Sequence, residues 1–314
     1  MKKIKVAFIG TGYIGEEHIK VFKNIRSIDI VGIRNRVIKK SKNISKKHNI
    51  KFYAKSISEL FEISKPDLVV IAVPELSLKK VCEEAFNYNA TFLIEKPVGY
   101  NLEEAILIER MAKKKKKLAY VGLNRRHYQS TLDALKDIKK IKSKRIVNVL
   151  DQQSILGALK CGQPRLVANN FMYANSIHLI DYFCFFCRGK IKKIQKLIDW
   201  KKTKKKFVLT KIHFSSGDIG IYQAIWDGPG PWGITITTNE KRWEMKPLEV
   251  LTVQEKNSRK SLIKKHKNNL DKKFKPGLMV QAKELIKSFQ NKKNTLPTLS
   301  DGIRTMRLIK KIYG

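Results

Sequence analysis

Long apolar runs are missing from this sequence. Nowhere do about 18 uncharged hydrophobic residues stand together, so no membrane-spanning helix is expected. Cysteine is scarce. The four residues Cys82, Cys161, Cys184 and Cys187 are too unevenly placed to frame a small disulfide scaffold in a chain of 314 residues. Cys184-Phe185-Phe186-Cys187 has CxxC spacing, but no second Cys or His pair at ligand spacing accompanies it. It reads as two small hydrophobes on a buried helix, and no metal site is expected. Acidic residues are few: 27 Asp and Glu against 66 Lys and Arg give a formal charge of +39. Such a surplus suits a nucleic-acid binder. Arginine, whose planar fork reads bases and phosphates, accounts for only 13 of the 66, leaving 53 lysines spread over every segment. Specific nucleic-acid binding is therefore not expected. Runs such as Lys113–Lys117 and Lys201–Lys206 read as solvated helix ends and hairpin turns, although the charge can gather anionic substrates. The basic, apolar start Met1–Gly10 runs into a glycine turn where a signal peptide would show a small-residue cleavage site, so it reads as a first strand of a cytoplasmic protein.

What remains is a globular chain, 42% hydrophobic, long enough for two domains. Strand-like runs at Ile4–Gly10, Ile28–Ile33, Leu68–Val73, Thr91–Ile94 and Leu118–Gly122 alternate with helical patterns. Those patterns lie at Ile14–Ile25, Val37–His48, Leu78–Tyr88 and Leu102–Lys115. Nearly continuous apolar strands between helices predict a parallel, doubly wound α/β domain over 1–122. From residue 123 to 314 the pattern predicts an α+β domain. Helices near Ser130–Ile141 and Asn175–Cys187 flank a strand at Arg145–Gln153. Further strands follow at Ile194–Trp200, Phe207–Phe214, Gly217–Trp226, Gly233–Thr238, Arg242–Lys246 and Glu249–Val253, implying an open, mostly antiparallel sheet. Two helices close the chain, Leu278–Gln290 and Asp301–Tyr313, the second with Ser300 as its N-cap.

Gly10-Thr11-Gly12-Tyr13-Ile14-Gly15 is a G-x-G-x-x-G run placed after an apolar strand and at the opening of a helix, the context that marks dinucleotide binding. Gly10 serves the tight turn, Gly12 the approach of a pyrophosphate, and Gly15 close strand–helix packing. The helix N-terminus offers N–H groups to the phosphates. An NAD enzyme usually carries Asp or Glu at the end of the second strand. Here the residues are Arg34-Asn35-Arg36, which favours NADP(H) over NAD(H), with Asn35 able to bond a ribose hydroxyl. Val73 and Pro74, at the end of the third expected strand, complete the cofactor wall. Glu95-Lys96-Pro97 ends the strand Phe92-Leu93-Ile94, where a side chain faces the ligand crevice, and an amine there can manage a proton during hydride transfer.

The order of strand–GxGxxG, His18, Glu95-Lys96-Pro97, Gly122-Leu123-Asn124-Arg125-Arg126 and His178-Leu179-Ile180-Asp181 resembles the glucose-fructose oxidoreductase/inositol dehydrogenase (Gfo/Idh/MocA) family over nearly the whole chain. The resemblance implies an NAD(P)-dependent oxidoreductase acting on a sugar, sugar nucleotide or related polyhydroxylated substrate, assembled as a homodimer or homotetramer. It implies that Lys96 is the catalytic lysine, that His178 is an acid/base or substrate-orienting group, that Asp181 orients its ring or serves packing, and that Glu95 lies beside the cofactor. Asn124, Arg125, Arg126, Tyr173 and Asn175 are candidate substrate contacts, with salt bridging the alternative for the arginines. Two departures stand out. Ala174 occupies the place of a carboxylate that many members carry four residues before the histidine. Val73-Pro74-Glu75-Leu76-Ser77-Leu78 lacks a histidine that members often carry. A dinucleotide-sensing regulator without turnover and a biliverdin-reductase-like reductase are the alternatives.

Overall fold

The computed structural model describes residues 3–200, 206–265, 270–290 and 292–314. Residues 201–205 of the lysine turn expected at Lys201–Lys206, and Met1-Lys2 ahead of the first expected strand, lie outside them. The chain forms two compact units, one of residues 1–124 and 272–303, the other of 125–271 and 304–314.

The first unit is built on the strands β1 (Ile4–Ile9), β2 (Ile28–Arg34), β3 (Tyr53–Ala54), β4 (Leu68–Ile71), β5 (Thr91–Ile94) and β6 (Ala119–Val121). The helices α1 (Tyr13–Lys23), α2 (Ile38–His48), α3 (Ile57–Ser64), α4 (Glu75–Ala85) and α5 (Leu102–Lys114) connect them. All strand pairs are parallel, in the order β3-β2-β1-β4-β5-β6. The order follows from the sequence. β4, Leu-Val-Val-Ile, is apolar throughout and buried throughout, so it must be covered on both faces. Each such side chain contributes roughly 1.5–3 kcal/mol on burial. An exposed pair such as Lys20–Glu17 is worth well under about 1 kcal/mol, so the lysine excess does not decide the fold. The order in which strands are added reverses between β1 and β4, the place where doubly wound sheets hold ligands at their strand ends. Two elements were not expected, β3 and α3. Late in the chain, α11 (Leu278–Phe289) also belongs to this unit.

The second unit holds an eight-stranded sheet in the order β14-β13-β12-β11-β7-β10-β9-β8. Its strands are β7 (Ile146–Gln153), β8 (Ile191–Ile198), β9 (Phe207–Phe214), β10 (Ile219–Trp226), β11 (Gly233–Thr237), β12 (Lys241–Met245), β13 (Leu251–Glu255) and β14 (Ser261–Ile263). Only β7 and β10 pair in parallel, so the sheet is mostly antiparallel as expected. Helices α6 (Gln129–Ile138) and α9 (Ile177–Phe186) pack on it, and Gly220 lets the Phe183 ring lie against β10, since a Cβ there would come within 2.7 Å of the ring. Short helices α7 (Ile155–Lys160) and α8 (Arg165–Asn169), which were not expected, precede a π turn at Met172–Ser176 that takes up the start of the helix expected at Asn175–Cys187. Cys187 is extended and caps α9 instead of continuing it. β14 and α10 (Leu270–Lys273) are further elements for which no strand or helix was expected.

α12 (Leu299–Tyr313) starts earlier than expected, which displaces Ser300 from the N-cap. Ser300 is inside the helix and its hydroxyl bonds Glu109. Thr298 caps instead: its Oγ1 accepts from the Asp301 N–H at 3.3 Å while Asp301 accepts from the Thr298 N–H at 2.9 Å.

One buried carboxylate ties the second unit together. Asp218 accepts from Arg188 Nη2 at 2.7 Å, from the Arg188 N–H at 2.8 Å and from the Arg145 N–H at 3.0 Å. Burial pushes its pKa up, but these bonds to Arg188 and Arg145 outweigh that and hold it below the usual carboxylate range. A group with a depressed native pKa stabilises above its unfolded pKa and loses that contribution as pH falls through the native value. Asp218→Asn is accordingly expected to cost about 2–4 kcal/mol at pH 7, with the difference from wild type shrinking below about pH 4. Urea unfolding at both pH values checks it; a cost independent of pH contradicts the ionic account.

Candidate functional site

The turn between β1 and α1 is dictated by sterics. Gly10 has φ +93°, and a Cβ on it would lie 2.1 Å from the Ala72 carbonyl oxygen and 2.9 Å from Val73. A Cβ on Gly15 would lie 2.2 Å from the Gly10 carbonyl oxygen. Gly12 differs: a Cβ there would meet nothing within 4 Å. The open space lies at the N-terminus of α1, whose first N–H groups have no intrahelical partner and carry the positive end of the helix dipole. Tyr13 is 71% exposed at the same point and Ile14 continues the helix.

Beside this turn is a cavity of about 470 Å³, lined by Gly10, Gly12, the strand-end residues Arg34–Arg36, and Ala72, Val73 and Pro74. Arg34 Nε is buried with no hydrogen-bond partner among the described residues. An unsatisfied buried donor carries a desolvation cost that an acceptor in the cavity removes. The sequence-predicted Asn35 has a structural task. Its Nδ2 donates to Thr11 Oγ1 at 3.0 Å and its Oδ1 accepts from the Val37 N–H at 3.0 Å, fastening the end of β2 to the glycine turn. An open cradle at Gly12, a helix N-terminus and an unpartnered guanidinium nitrogen fit a dinucleotide carrying phosphates.

Three cations at this site escaped the sequence reading. Lys40 and Lys80 line the cavity, and Lys275 sets its ammonium 5.1 Å from the Tyr13 ring centre. Asn124 Nδ2 donates to the Pro276 carbonyl at 3.0 Å, which holds the Lys275 loop in place. Asn124 is thus a loop anchor. In a lysine-rich chain no local signal separates these three from their neighbours.

Lys96 follows β5, half-buried, and its peptide bond to Pro97 is cis. Glu95 is 8% exposed and accepts from His18 Nε2 at 2.7 Å. Its other oxygen accepts from the Lys96 N–H at 3.2 Å. A Cβ at Gly122 would fall 2.7 Å from this carboxylate, so Gly122 makes room for it. Glu95 therefore ties α1 to the end of β5 beside Lys96, in the space that Gly122 leaves after β6.

The remaining predicted residues lie in the second unit. His178 is buried at the second position of α9, and Ala174 and Tyr173 are buried in the π turn before it. Asn175 Nδ2 donates to Gln153 Oε1 at 2.9 Å. Asp181, one turn after His178, accepts from Arg126 Nε and Nη2 at 2.6 and 2.7 Å and from Thr305 Oγ1 at 2.7 Å. Arg126 is thus engaged in a buried, bidentate ion pair. Arg125 lies 4.8 Å over the Trp232 ring. Among the described residues no three His, Cys, Asp or Glu side chains gather in a way that could hold a metal ion, and no helix is long and apolar enough to cross a membrane.

Comparison with known proteins agrees with this geometry. Residues 4–123 match the model of an oxidoreductase family with an NAD-binding Rossmann fold, GFO_IDH_MocA. The chain is 22% identical over 192 residues to 4-carboxy-2-hydroxymuconate-6-semialdehyde dehydrogenase of Sphingobium sp., covering 60% of each protein. It is 26% identical over 134 residues to glucose-6-phosphate 3-dehydrogenase of Bacillus subtilis, covering 43% of this chain and 37% of that one. The match thus spans less than two thirds of either relative. The structure of UDP-N-acetylglucosamine 3-dehydrogenase from Acidithiobacillus ferrooxidans superposes with a TM-score of 0.79 over 99% of this chain and 97% of that one, at 14% identity, a likeness of fold. Over residues 4–123, then, the chain is similar to the Gfo/Idh/MocA oxidoreductases and carries their NAD-binding Rossmann fold.

Proposed function

We propose that this protein is an oxidoreductase that uses NADP(H) in preference to NAD(H) and acts on a sugar, sugar nucleotide or related polyhydroxylated substrate. The observation that carries the cofactor choice is the excess of cations lining the cavity beside Gly12: Arg34 with an unpartnered Nε, Arg36, Lys40 and Lys80, against one carboxylate, Glu84. No carboxylate stands at the end of β2 to repel a 2′-phosphate, and guanidinium groups match phosphate geometry. Gly12 and the α1 N-terminus hold the diphosphate, and Val73 and Pro74 form the wall beside it. The dinucleotide, when bound, supplies the hydride chemistry. Lys96 Nζ bonds the reacting oxygen of the substrate and moves its proton, with Glu95 fixing the backbone from which Lys96 projects. His178 is the second proton-handling and orienting group, with Tyr173, Asn175 and Arg125 as substrate contacts. The substrate class is supported by the names of relatives that are dehydrogenases of glucose 6-phosphate and of UDP-N-acetylglucosamine. A cytoplasmic homodimer or homotetramer accords with this reading.

The reading is tested by titrating the purified chain with NADPH and NADH by nicotinamide fluorescence, then screening sugar nucleotides and polyols for change in nicotinamide absorbance. Absence of affinity for any pyridine nucleotide overturns it. The double variant Arg34→Ala/Arg36→Ala is expected to weaken NADPH about 10- to 100-fold, the loss of one or two charge-assisted bonds, and NADH less than about threefold. An equal loss for both cofactors refutes the 2′-phosphate assignment. Lys275→Ala is expected to weaken both cofactors alike, by about two- to fivefold, because a half-exposed, solvent-screened ammonium near the diphosphate is worth under about 1 kcal/mol. Repeating the titration at higher salt checks this: screening removes part of the Lys275 contribution, so the ratio to wild type narrows.

A further inference from the structure

The second unit contains a cavity of its own, of about 280 Å³, that the proposed reaction does not use. Its construction is two-tiered. The floor is Cys184, Cys187, Phe214 and Leu308, with Ile191 at the side, and the mouth is Lys190, Arg304, Arg307 and Lys311. All four cations are exposed, whereas Cys187, Phe214 and Leu308 are buried. Burial pushes both thiols up, so the floor sulfurs are neutral and do not repel an anion. No acidic residue lines the cavity.

A lysine-rich chain scatters cations everywhere, but three features separate this cluster from scatter. Arg304, Arg307 and Lys311 stand at i, i+3 and i+7 of α12, so they share one face and repel one another. The negative end of the helix dipole offsets that only for Lys311, in the last turn. Two of the four are arginines in a chain that otherwise prefers lysine. Lys190, Arg307 and Lys311 have no carboxylate partner among the described residues, while nearby Arg188 and Arg126 each have one. Arg126, Arg188 and Arg242 are thus neutralised by carboxylates, while Lys190, Arg307 and Lys311 stand around an apolar hollow.

We propose that this cavity binds a small amphipathic anion, with a phosphate or carboxylate head held by Arg307, Lys311, Lys190 and Arg304 and a compact apolar body on the Phe214–Cys187–Leu308 floor. The size limits the body to about one ring or a short chain, and the site is separate from the dinucleotide turn in sequence and in unit.

Phenyl phosphate is the probe, titrated calorimetrically into the full chain at about 0.15 M salt, where exposed charges beyond about 8 Å are screened. Expected is saturable binding that weakens at least about tenfold in Arg307→Ala/Lys311→Ala, a loss of about 1.4 kcal/mol or more. Lys139→Ala/Lys140→Ala, which removes the same charge from exposed positions at the end of α6, is expected to leave affinity within about twofold. Inorganic phosphate, which has no apolar body, is expected to bind at least about fivefold more weakly than phenyl phosphate. All these variants replace exposed side chains, and thermal unfolding confirms that they fold. Equal weakening by the two double variants reduces the site to general charge attraction and overturns the proposal. So does loss of phenyl phosphate binding in Arg34→Ala/Arg36→Ala but not in Arg307→Ala/Lys311→Ala, which places the probe on the dinucleotide site. Equal affinity for inorganic and phenyl phosphate removes the apolar floor from the recognition.

Discussion

Lys96→Ala is expected to lower kcat by about 10²- to 10⁴-fold, the contribution typical of a positioned acid–base group, while the Kd for NADPH stays within about threefold of wild type. The separation arises because Lys96 projects from the end of β5, whereas the diphosphate cradle is built at Gly12 and the α1 N-terminus from atoms that the substitution does not touch. Lys96→Arg sharpens the test. It keeps the positive charge and hydrogen-bond donors but cannot release its proton near neutral pH. Turnover restored by arginine indicates an electrostatic role for Lys96, and turnover still lost indicates proton movement at Nζ. Lys96→Ala with normal kcat would make Lys96 one more half-buried lysine, whereas cofactor binding without turnover in the wild type would move the protein toward the regulatory reading, which the alanine at position 174 favours. Steady-state nicotinamide absorbance gives kcat, and fluorescence titration gives Kd independently of turnover.

Much of the architecture was legible because burial on both faces leaves a simple mark. β1, β4 and β5 are short apolar runs ending in glycine, proline or charge, and each lies where its run does. α3 carried a signal that was overlooked. Ser56-Ile57-Ser58-Glu59 is a capping box: Ser56 Oγ accepts from the Glu59 N–H at 3.0 Å, and Glu59 reaches back to the Lys55 N–H at 2.5 Å. Other features have no local mark. The π turn at Met172–Ser176 is an extra residue within a helical stretch, and no residue type specifies where the ladder must bulge. The grouping of 272–303 with the first unit depends on long-range contacts such as Asn124 to Pro276. Gly122 looked like a strand terminus, but its place is set by a carboxylate 27 residues earlier in the chain, and only the folded arrangement reveals that.

The glycine turn yields the second large effect, because its three glycines fail in different ways. Gly10→Ala must adopt φ near +93° with its Cβ driven against the Ala72 carbonyl. A left-handed conformation costs an L-residue about 1–2 kcal/mol and overpacking a further 1–3 kcal/mol, a large part of the roughly 5–15 kcal/mol that holds a domain folded. Gly15→Ala has no such backbone penalty but presses on the Gly10 carbonyl at 2.2 Å, for about 1–3 kcal/mol. Gly12 has φ −72°, ordinary for alanine, and open space in the direction of its Cβ. Gly12→Ala is therefore expected to unfold within about 0.5–1 kcal/mol of wild type and yet to weaken NADPH about 10- to 100-fold, as one or two charge-assisted N–H bonds to the diphosphate lengthen. Urea unfolding and fluorescence titration of the three variants separate the cases. If Gly12→Ala binds NADPH as tightly as wild type, the open direction at residue 12 is not where the phosphates lie. If Gly10→Ala is as stable as wild type, the turn has more freedom than its contact with Ala72 allows. The site is distinguished by that contrast: two glycines are demanded by the protein's own atoms, and the third leaves space that no protein atom fills.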